Sequence, residues 1–172
     1  MTASIVAIAA LATVLLLMLG ELRLSRRNER RLLAQGAIAP ADPVYRIMRW
    51  AYPGVFIAMA LEGALAGREP GIAALAGAAL LVLAKTLKFW AIGALGGRWS
   101  YRVLVLPGVP LVRSGPYALM RHPNYVAVVG ELAGMALLTG ARVAGPAGAL
   151  LFVWLVYRRI QAEEAALGLS VR

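Results

Sequence analysis

The N-terminal stretch of the chain sets the strongest constraint on its fold. Ala3–Gly20 contains no charged side chain. As a helix rising 1.5 Å per residue it would be about 27 Å long, enough to cross the hydrocarbon core of a bilayer. A secretory signal peptide carries basic residues before its apolar run, whereas the arginines here follow it. The segment is therefore predicted to be an uncleaved membrane span.

The rest of the chain is almost as apolar, because 61% of its 172 residues are hydrophobic and only 15% are charged. A soluble domain of this size cannot bury that much apolar surface, so the composition indicates a single membrane-embedded domain. Four more spans are predicted, at Trp50–Gly67, Gly71–Gly97, Pro123–Thr139 and Val143–Tyr157. A tight turn separates the last two, which are expected to form an antiparallel hairpin. The predicted fold is an all-α integral membrane protein with about five transmembrane helices.

Arginine positions predict the orientation of these helices. Fourteen arginines follow spans one, three and five, whereas Arg68 and Arg142 lie on the other side. Basic residues collect on the cytoplasmic side of membrane proteins, so we expect the N-terminus outside and the C-terminus in the cytoplasm. The excess of arginine over lysine, sixteen to two, hints at a GC-rich bacterial genome and hence at the inner membrane.

Charge and residue usage exclude several functions. The net charge of +10 is spread between apolar segments and forms no basic face, so nucleic-acid binding is not expected. With no cysteine and a single histidine, His122, the sequence predicts no disulfide, no thiolate nucleophile and no metal site.

Two cytoplasmic segments connect the predicted spans. Glu21–Ala37 is expected to be a charged helix lying at the membrane interface. Arg98–Arg121 is expected to be irregular, because prolines and glycines interrupt it. Trp90, Trp99 and Tyr101 fit an aromatic belt at the interface.

The stretch GPYALMRHPNYVAVVGE, residues 115–131, is the first candidate for chemistry. Pro123 suits the first turn of a helix, which places His122 at the N-cap, beside unpaired backbone N–H groups and the positive end of the helix dipole. Arg121 adds a full positive charge there, so the corner would attract a carboxylate or a phenolate. The alternative is that Arg121 and His122 only anchor the helix to lipid headgroups.

Glu131 lies about two turns inside the fourth span, on the same helix face as Asn124. An ionisable group at such a depth is costly and is by default a functional candidate with a partner. The alternative is a structural ion pair with a lysine or arginine of span three. Glu62, nearer the outer end of span two, is a weaker candidate of the same kind.

The C-terminal run RRIQAEEAALG continues span five into the cytoplasm. Arg159 and Glu163 share one helix face, and Glu164 follows. One interpretation is a solvated helix with an i,i+4 ion pair, ended by Gly168. The other is a carboxylate pair at the membrane surface that accepts hydrogen bonds from ribose hydroxyls or lies near a sulfonium.

Together, LVRSGPYALMRHPNYVAV, the hydrophobic hairpin and RIQAEEAAL resemble the isoprenylcysteine carboxyl methyltransferase and phospholipid methyltransferase superfamily. Its mark is Arg-His-Pro-x-Tyr, a hydrophobic stretch and then Glu-Glu, and the likeness covers roughly Gly97–Leu167. The resemblance implies an integral membrane enzyme that binds S-adenosylmethionine at the cytoplasmic face, in the C-terminal half of the chain, residues 98–172. The implied cofactor-binding residues are Tyr117, His122, Tyr125, Arg159, Glu163 and Glu164.

Ala127 stands where the superfamily often has a glycine. Together with Glu131 and RVLVLPGVPLV, it looks more like the bacterial branch associated with type III polyketide synthases, whose acceptors are thought to be alkylpyrones or alkylresorcinols. This resemblance implies O-methylation of a phenol or enol, with Arg121 stabilising the developing anion and Glu131 as the general base. The fatty tail of the acceptor is expected among spans three to five.

Other acceptors stay open: a prenylcysteine carboxylate, a phospholipid amine or a quinol. A different class also stays open, a non-catalytic membrane protein or a transporter, although the sequence has neither inverted repeats nor paired broken helices. The expected partners are membrane lipids and a lipophilic small molecule or lipid.

Overall fold

The computed structural model describes residues 3–67 and 71–168, and over these residues the chain is helical without strands. This confirms the predicted all-α class. Short 3₁₀ turns and an isolated bridge between Ile38 and Val105 lie in the connections. Arg68, one of the two outward-facing arginines of the topology prediction, lies outside the described residues. The five α-helices are Ala3–Ala34 (α1), Pro43–Ala66 (α2), Ile72–Leu95 (α3), Pro123–Thr139 (α4) and Ala144–Ala166 (α5).

Two helical segments are long and apolar enough to cross a membrane. They are Ala3–Ala34 and Ile72–Arg98, with mean hydropathies of 2.5 and 1.8 over their most apolar windows. Large apolar side chains point away from the protein on all five helices, as Leu65 on α2 and Leu150 on α5 do. Spans one and three thus meet the requirement for crossing a membrane, and spans two, four and five stay predictions.

The charged segment Glu21–Ala37 differs from the prediction, because it does not form a separate helix at the interface. α1 runs without a break from Ala3 to Ala34. Polar residues about one turn apart lie buried on one face of α1 and contact the loop that follows α3. The Asn28 amide donates to the carbonyl of Trp99 at 2.8 Å, and the Tyr101 backbone N–H donates to Ser25 Oγ at 2.9 Å. Trp99 is only 2% exposed, so the prediction that it belongs to an interfacial belt is wrong.

α3 and α4 pack closely because glycines face each other across their interface. A Cβ on Gly134 would lie 2.7 Å from the backbone nitrogen of Leu81 and 3.0 Å from the carbonyl oxygen of Gly77. Small residues at such positions let helix backbones approach closely in membrane proteins. The close approach places the lysines of α3 beside Glu131 of α4.

The predicted hairpin of α4 and α5 is confirmed. Gly140 ends α4 in the left-handed conformation, with φ of 66°. The first turn of α5 has no cap from its own residues; instead, the Glu62 carboxylate of α2 accepts hydrogen bonds from the backbone N–H groups of Arg142, Val143 and Ala144 at 2.7–3.2 Å. Glu62 is therefore a cap supplied by another helix, and the hairpin is fastened to α2.

Candidate active site

A cavity of about 620 Å³ lies between α1, α2, the last turns of α3, the start of α4, the end of α5 and the loop of residues 98–121. Its volume is in the usual range for small-molecule sites, roughly 300–1,000 Å³. One end is lined by polar residues of the two sequence motifs, and the other end is apolar. Residues at the polar end include Tyr117, Arg121, His122, Tyr125 and Glu163, and residues at the apolar end include Leu15, Met18, Leu19, Trp50 and Pro53.

The start of α4 contacts the end of α5. His122 is the N-cap and Pro123 occupies the first turn, as predicted, but the His122 side chain makes no capping hydrogen bond. Instead, His122 Nε2 lies 3.1 Å from Glu164 Oε1, and a guanidinium nitrogen of Arg121 lies 3.6 Å from the same oxygen. Glu164 therefore balances part of the positive charge of the predicted anion-attracting corner.

Tyr125 forms the second contact between these helices. Its hydroxyl donates to Glu163 Oε2 at 2.7 Å and accepts from Arg159 Nε at 3.2 Å. Arg159 also forms an ion pair with Asp42 at 2.9 Å and donates to the carbonyl of Tyr101. The interpretation of this segment as a solvated helix with an Arg159–Glu163 pair is wrong, because Arg159 is only 4% exposed and pairs with Asp42.

The structure places most of the predicted site residues on one cavity wall. Two of them, Glu131 and Glu164, do not line this cavity. Glu164 acts on the site through His122, and Arg121 lies at the mouth with 69% of its side chain exposed. The predicted residues that line the cavity are Tyr117, Arg121, His122, Tyr125, Arg159 and Glu163.

Tyr117 lies in a 3₁₀ turn, Gly115–Ala118, that packs against the cavity. Burial raises the pKa of its phenol above the ordinary value, and the negative charge of Glu163 raises this pKa further. The phenol therefore stays protonated at neutral pH and offers a hydrogen-bond donor to a bound molecule.

Asn124 also lines the cavity. Its side-chain oxygen, Oδ1, is buried and has no hydrogen-bond partner in the described part of the chain. Leaving such an atom unpaired costs about 1–3 kcal/mol. A ligand with an N–H or O–H group directed at Oδ1 would remove that cost. S-adenosylmethionine carries amino and hydroxyl groups, so these residues fit it.

Glu131 belongs to a buried cluster of two carboxylates and two lysines, and it is 0% exposed. Lys85 Nζ lies 2.8 Å from one Glu131 oxygen and Lys88 Nζ lies 2.7 Å from the other. The same lysines contact Glu21 of α1 at 3.0 and 3.5 Å. Each lysine lies between the two carboxylates, so the two positive and two negative formal charges cancel inside the helix bundle.

Tyr52 and Lys88 line the cavity and separate Glu131 from it. The Tyr52 hydroxyl donates to Glu131 Oε2 at 2.7 Å. A general base needs to lie within hydrogen-bond reach of the proton that it removes. Glu131 does not have that position relative to the cavity, and its contacts are those of the alternative interpretation, an ion pair with lysines of α3.

Sequence reasoning missed three residues that hold the site together. Tyr52 was assigned no role, and Tyr101, whose hydroxyl donates to Glu21 at 2.8 Å, was assigned to an aromatic belt. Asp42 pairs with Arg159 and caps α2 through the Tyr45 backbone N–H at 2.9 Å. One signal was available for Asp42: it is the only aspartate of the chain and directly precedes a proline, a pattern typical of a helix N-terminus.

Residues 77–168 match the model of the isoprenylcysteine carboxyl methyltransferase (ICMT) family. The chain is 33% identical over 147 residues to the uncharacterized protein YpbQ of Bacillus subtilis, covering 86% of this chain and 88% of YpbQ. It is 27% identical over 157 residues to an uncharacterized protein of Haemophilus influenzae, covering 91% of each chain. No solved structure matches it.

Proposed function

The chain belongs to the isoprenylcysteine carboxyl methyltransferase family, and we propose that it transfers a methyl group from S-adenosylmethionine to a lipophilic acceptor at the membrane. One observation carries the proposal. His122 and Tyr125 of α4 meet Glu164 and Glu163 of α5 at the polar end of a cavity whose other end is apolar. A polar methyl donor and an acceptor with a hydrocarbon tail would thus share one cavity.

The polar end would hold the cofactor. S-adenosylmethionine, when bound, supplies an electrophilic methyl group on a sulfonium. Glu163 and Asn124 Oδ1 would accept hydrogen bonds from its hydroxyl and amino groups, and the protonated Tyr117 phenol would donate one. The His122–Glu164 and Tyr125–Glu163 contacts keep α4 and α5 together, so that these groups are positioned before the ligand arrives.

Charge at the cavity favours an acceptor that becomes an anion. The guanidinium groups of Arg49, Arg98 and Arg102, which have no ion-pair partner in the described part of the chain, line the cavity, whereas Glu163 supplies a carboxylate. This balance stabilises a phenolate, an enolate or a carboxylate and disfavours a cationic amine. We therefore propose O-methylation of a phenol or enol, such as an alkylpyrone or alkylresorcinol. A prenylcysteine carboxylate is the alternative acceptor.

We propose a different place for the acceptor tail from the one expected among spans three to five. The apolar lining comes mainly from α1, α2 and the loop of residues 98–121, including Leu15, Pro53 and Leu104, and few apolar residues come from the helices of spans three to five. Leu19, another lining residue, is exposed on the outer surface of α1. A tail that lies along this lining would keep its distal carbons close to the bilayer.

Arg121 and Glu131 have different roles in the proposal. Arg121, at the mouth of the cavity, would stabilise the negative charge that develops on the acceptor oxygen. Glu131 would act as a positioning residue, because it holds the Tyr52 hydroxyl and the Lys88 ammonium at the cavity wall. The acceptor would lose its proton to water at the open mouth, aided by the surrounding positive charge.

The proposed orientation is N-terminus outside and C-terminus in the cytoplasm, in a bacterial inner membrane. This orientation would open the polar end of the cavity toward the compartment that supplies a water-soluble cofactor. Cysteine-substituted variants, labelled with a membrane-impermeant maleimide in intact cells, would test it at position 3 and position 167.

Titration calorimetry in detergent tests the proposed function. S-adenosylhomocysteine, the product of the methyl donor, is expected to bind wild-type protein at one site and to bind Glu163→Gln more weakly. An absence of heat with the wild-type protein would overturn the methyltransferase proposal. Transfer of a labelled methyl group to an alkylresorcinol, a farnesylcysteine and a phosphatidylethanolamine then identifies the acceptor class. Preference for the amine would contradict the proposed O-methylation.

A further inference from the structure

A second cavity, of about 780 Å³, adjoins the one described above, on the side of the protein that is proposed to face the cytoplasm. α1, the connection to α2 and the first turns of α2 form most of its wall. Four arginines line it: Arg26, Arg46, Arg49 and Arg102. None of the four forms an ion pair within residues 3–67 and 71–168.

The carboxylates of this cavity are already engaged. Glu29 accepts a hydrogen bond from Ser25 at 2.6 Å. Asp42 is held by Arg159 at 2.9 Å and by the Tyr45 backbone N–H. The Ser25 hydroxyl leaves the charge of Glu29 intact, so one carboxylate offsets part of the charge of the four arginines and most of their positive charge is not compensated. Guanidinium groups bind phosphate oxygens through paired N–H donors, so such a cluster has the chemistry of a phosphate site.

The position of the cavity indicates the source of the phosphate. Arg26 follows the last residue of the uncharged stretch, Gly20, by about 9 Å along the helix axis, at the depth of lipid headgroups. The guanidinium of Arg49 stacks over the exposed ring of Trp50, 5.3 Å from its centroid. Exposed tryptophans of this kind collect at the membrane–water interface.

We propose that this cavity binds the phosphodiester headgroup of an anionic phospholipid. The arginines contact the phosphate, while the acyl chains lie outside along Leu22 and the apolar face of α1. Leu22, Tyr45, Arg49 and Arg102 line both cavities, so the bound lipid stands beside the entrance to the acceptor pocket. The inference does not depend on the proposed methyltransferase activity.

Binding of short-chain lipids to the purified full-length protein tests the proposal. Dioctanoyl phosphatidylglycerol is compared with dioctanoyl phosphatidylcholine and with inorganic phosphate, by thermophoresis in detergent. The test variant is Arg26→Gln with Arg46→Gln, because neither residue lines the first cavity. The control is Arg27→Gln with Arg30→Gln, which removes the same charge from exposed positions of α1 that do not line the cavity.

We expect wild-type protein to prefer phosphatidylglycerol. A hydrogen bond to a charged group is worth about tenfold in affinity, so the test variant, which removes two arginines proposed to contact the phosphate, is expected to lose roughly a hundredfold. The control variant removes the same charge but no phosphate contact, so only screened long-range attraction is lost and its affinity should fall much less. Equal losses of lipid affinity in both variants would mean that the lipid is attracted only by the general surface charge, and they would overturn the proposed site. Inorganic phosphate that binds as tightly as the lipid, with the same arginine dependence, would support the anion site and overturn the lipid as its source.

S-adenosylhomocysteine binding separates this proposal from the proposed function. The test variant is expected to keep the wild-type affinity for S-adenosylhomocysteine, which also shows that it is folded. If the test variant loses both ligands, its thermal midpoint is compared with that of wild type. An unchanged midpoint would show that the variant is folded and that the two cavities act as one site. That result would overturn the inference. Absence of S-adenosylhomocysteine binding in wild type would contradict the proposed function and leave the lipid measurement intact.

Discussion

His122 Nε2 and Glu164 Oε1 lie 3.1 Å apart although 42 positions separate the two residues in the chain. The contact closes the open end of the hairpin formed by α4 and α5, just as Gly140 closes the other end. Directly beside it, Tyr125 and Glu163 form a contact of 2.7 Å that faces the cavity. Adjacent carboxylates thus have different surroundings, and their replacement should have different effects.

Glu164→Gln and Glu163→Gln are predicted to separate stability from binding. Glu164 does not line the cavity, so its loss should lower the free energy of unfolding by about 1–3 kcal/mol through the weakened contact with His122. Glu163 lines the cavity, so its replacement should mainly weaken S-adenosylhomocysteine binding, by about tenfold. Thermal midpoints and calorimetry on the two variants check this. Equal behaviour of both variants would contradict the assignment.

Asn124→Ala is predicted to weaken S-adenosylhomocysteine binding by about tenfold without lowering the thermal midpoint. The reason is that Asn124 Oδ1 has no partner among the described residues, so the fold loses no hydrogen bond from it. Asn28→Ala is the matched control, because the Asn28 amide donates to the carbonyls of Gly96 and Trp99. That control should lower the midpoint instead. A lower midpoint in Asn124→Ala would argue for a structural role.

Some parts of this arrangement could be predicted from the sequence, and the reason is that they are local or carried by short motifs. Pro123 fixed the start of α4, and the turn at Gly140 fixed the hairpin. The partners of Glu131 could be predicted only as a lysine or arginine of span three. Which of them lies beside it depends on the close packing of α3 on α4. The spacing of Gly130 and Gly134, four positions apart, is typical of a helix face that packs closely in a membrane, but it does not show which helix packs there or in what register.

The contacts of α1 could not be predicted for a related reason. Asn28 and Ser25 look like members of a solvated, charged helix, because arginines surround them in the sequence. They are buried because the irregular loop after α3 folds over them and supplies backbone partners. Local pattern cannot show where a loop without periodicity returns to the protein. The interpretation with an Arg159–Glu163 pair is wrong for a similar reason, because the partner of Arg159 is Asp42, which directly precedes α2 and lies far from Arg159 in the sequence.

Glu131→Gln is predicted to lower the free energy of unfolding by about 3–5 kcal/mol, because it leaves two buried lysines with too little negative charge. Combining it with Lys85→Met, which restores the balance, should recover most of the midpoint. Methyl transfer by the double variant should recover with the midpoint if Glu131 is a positioning residue. A recovered midpoint with lost methyl transfer, and with normal S-adenosylhomocysteine binding, would instead identify Glu131 as the base, acting through Tyr52.

Tyr117 is predicted to make the fold sensitive to alkaline pH. Burial and the charge of Glu163 raise the pKa of the folded phenol above the unfolded value of about 10. The folded state therefore keeps a proton that the unfolded state loses, and this contribution to stability is present below about pH 10 and declines as the pH rises through the folded pKa. Thermal midpoints of wild type should fall more steeply above pH 10 than those of Tyr117→Phe. Tyr157→Phe, at an exposed position, is the control and should follow wild type.

Glu62→Gln is predicted to destabilise the protein without affecting ligand binding. The Glu62 carboxylate accepts backbone hydrogen bonds at the first turn of α5, where a negative charge also interacts favourably with the helix dipole. Loss of a helix cap lowers the free energy of unfolding by about 0.5–2 kcal/mol. Since Glu163 lies at the opposite end of α5, S-adenosylhomocysteine should bind the variant with wild-type affinity at temperatures below the midpoint. A weakened affinity together with an unchanged midpoint would contradict this prediction. It would mean that the Glu62 contact at the start of α5 influences ligand binding at the end of α5.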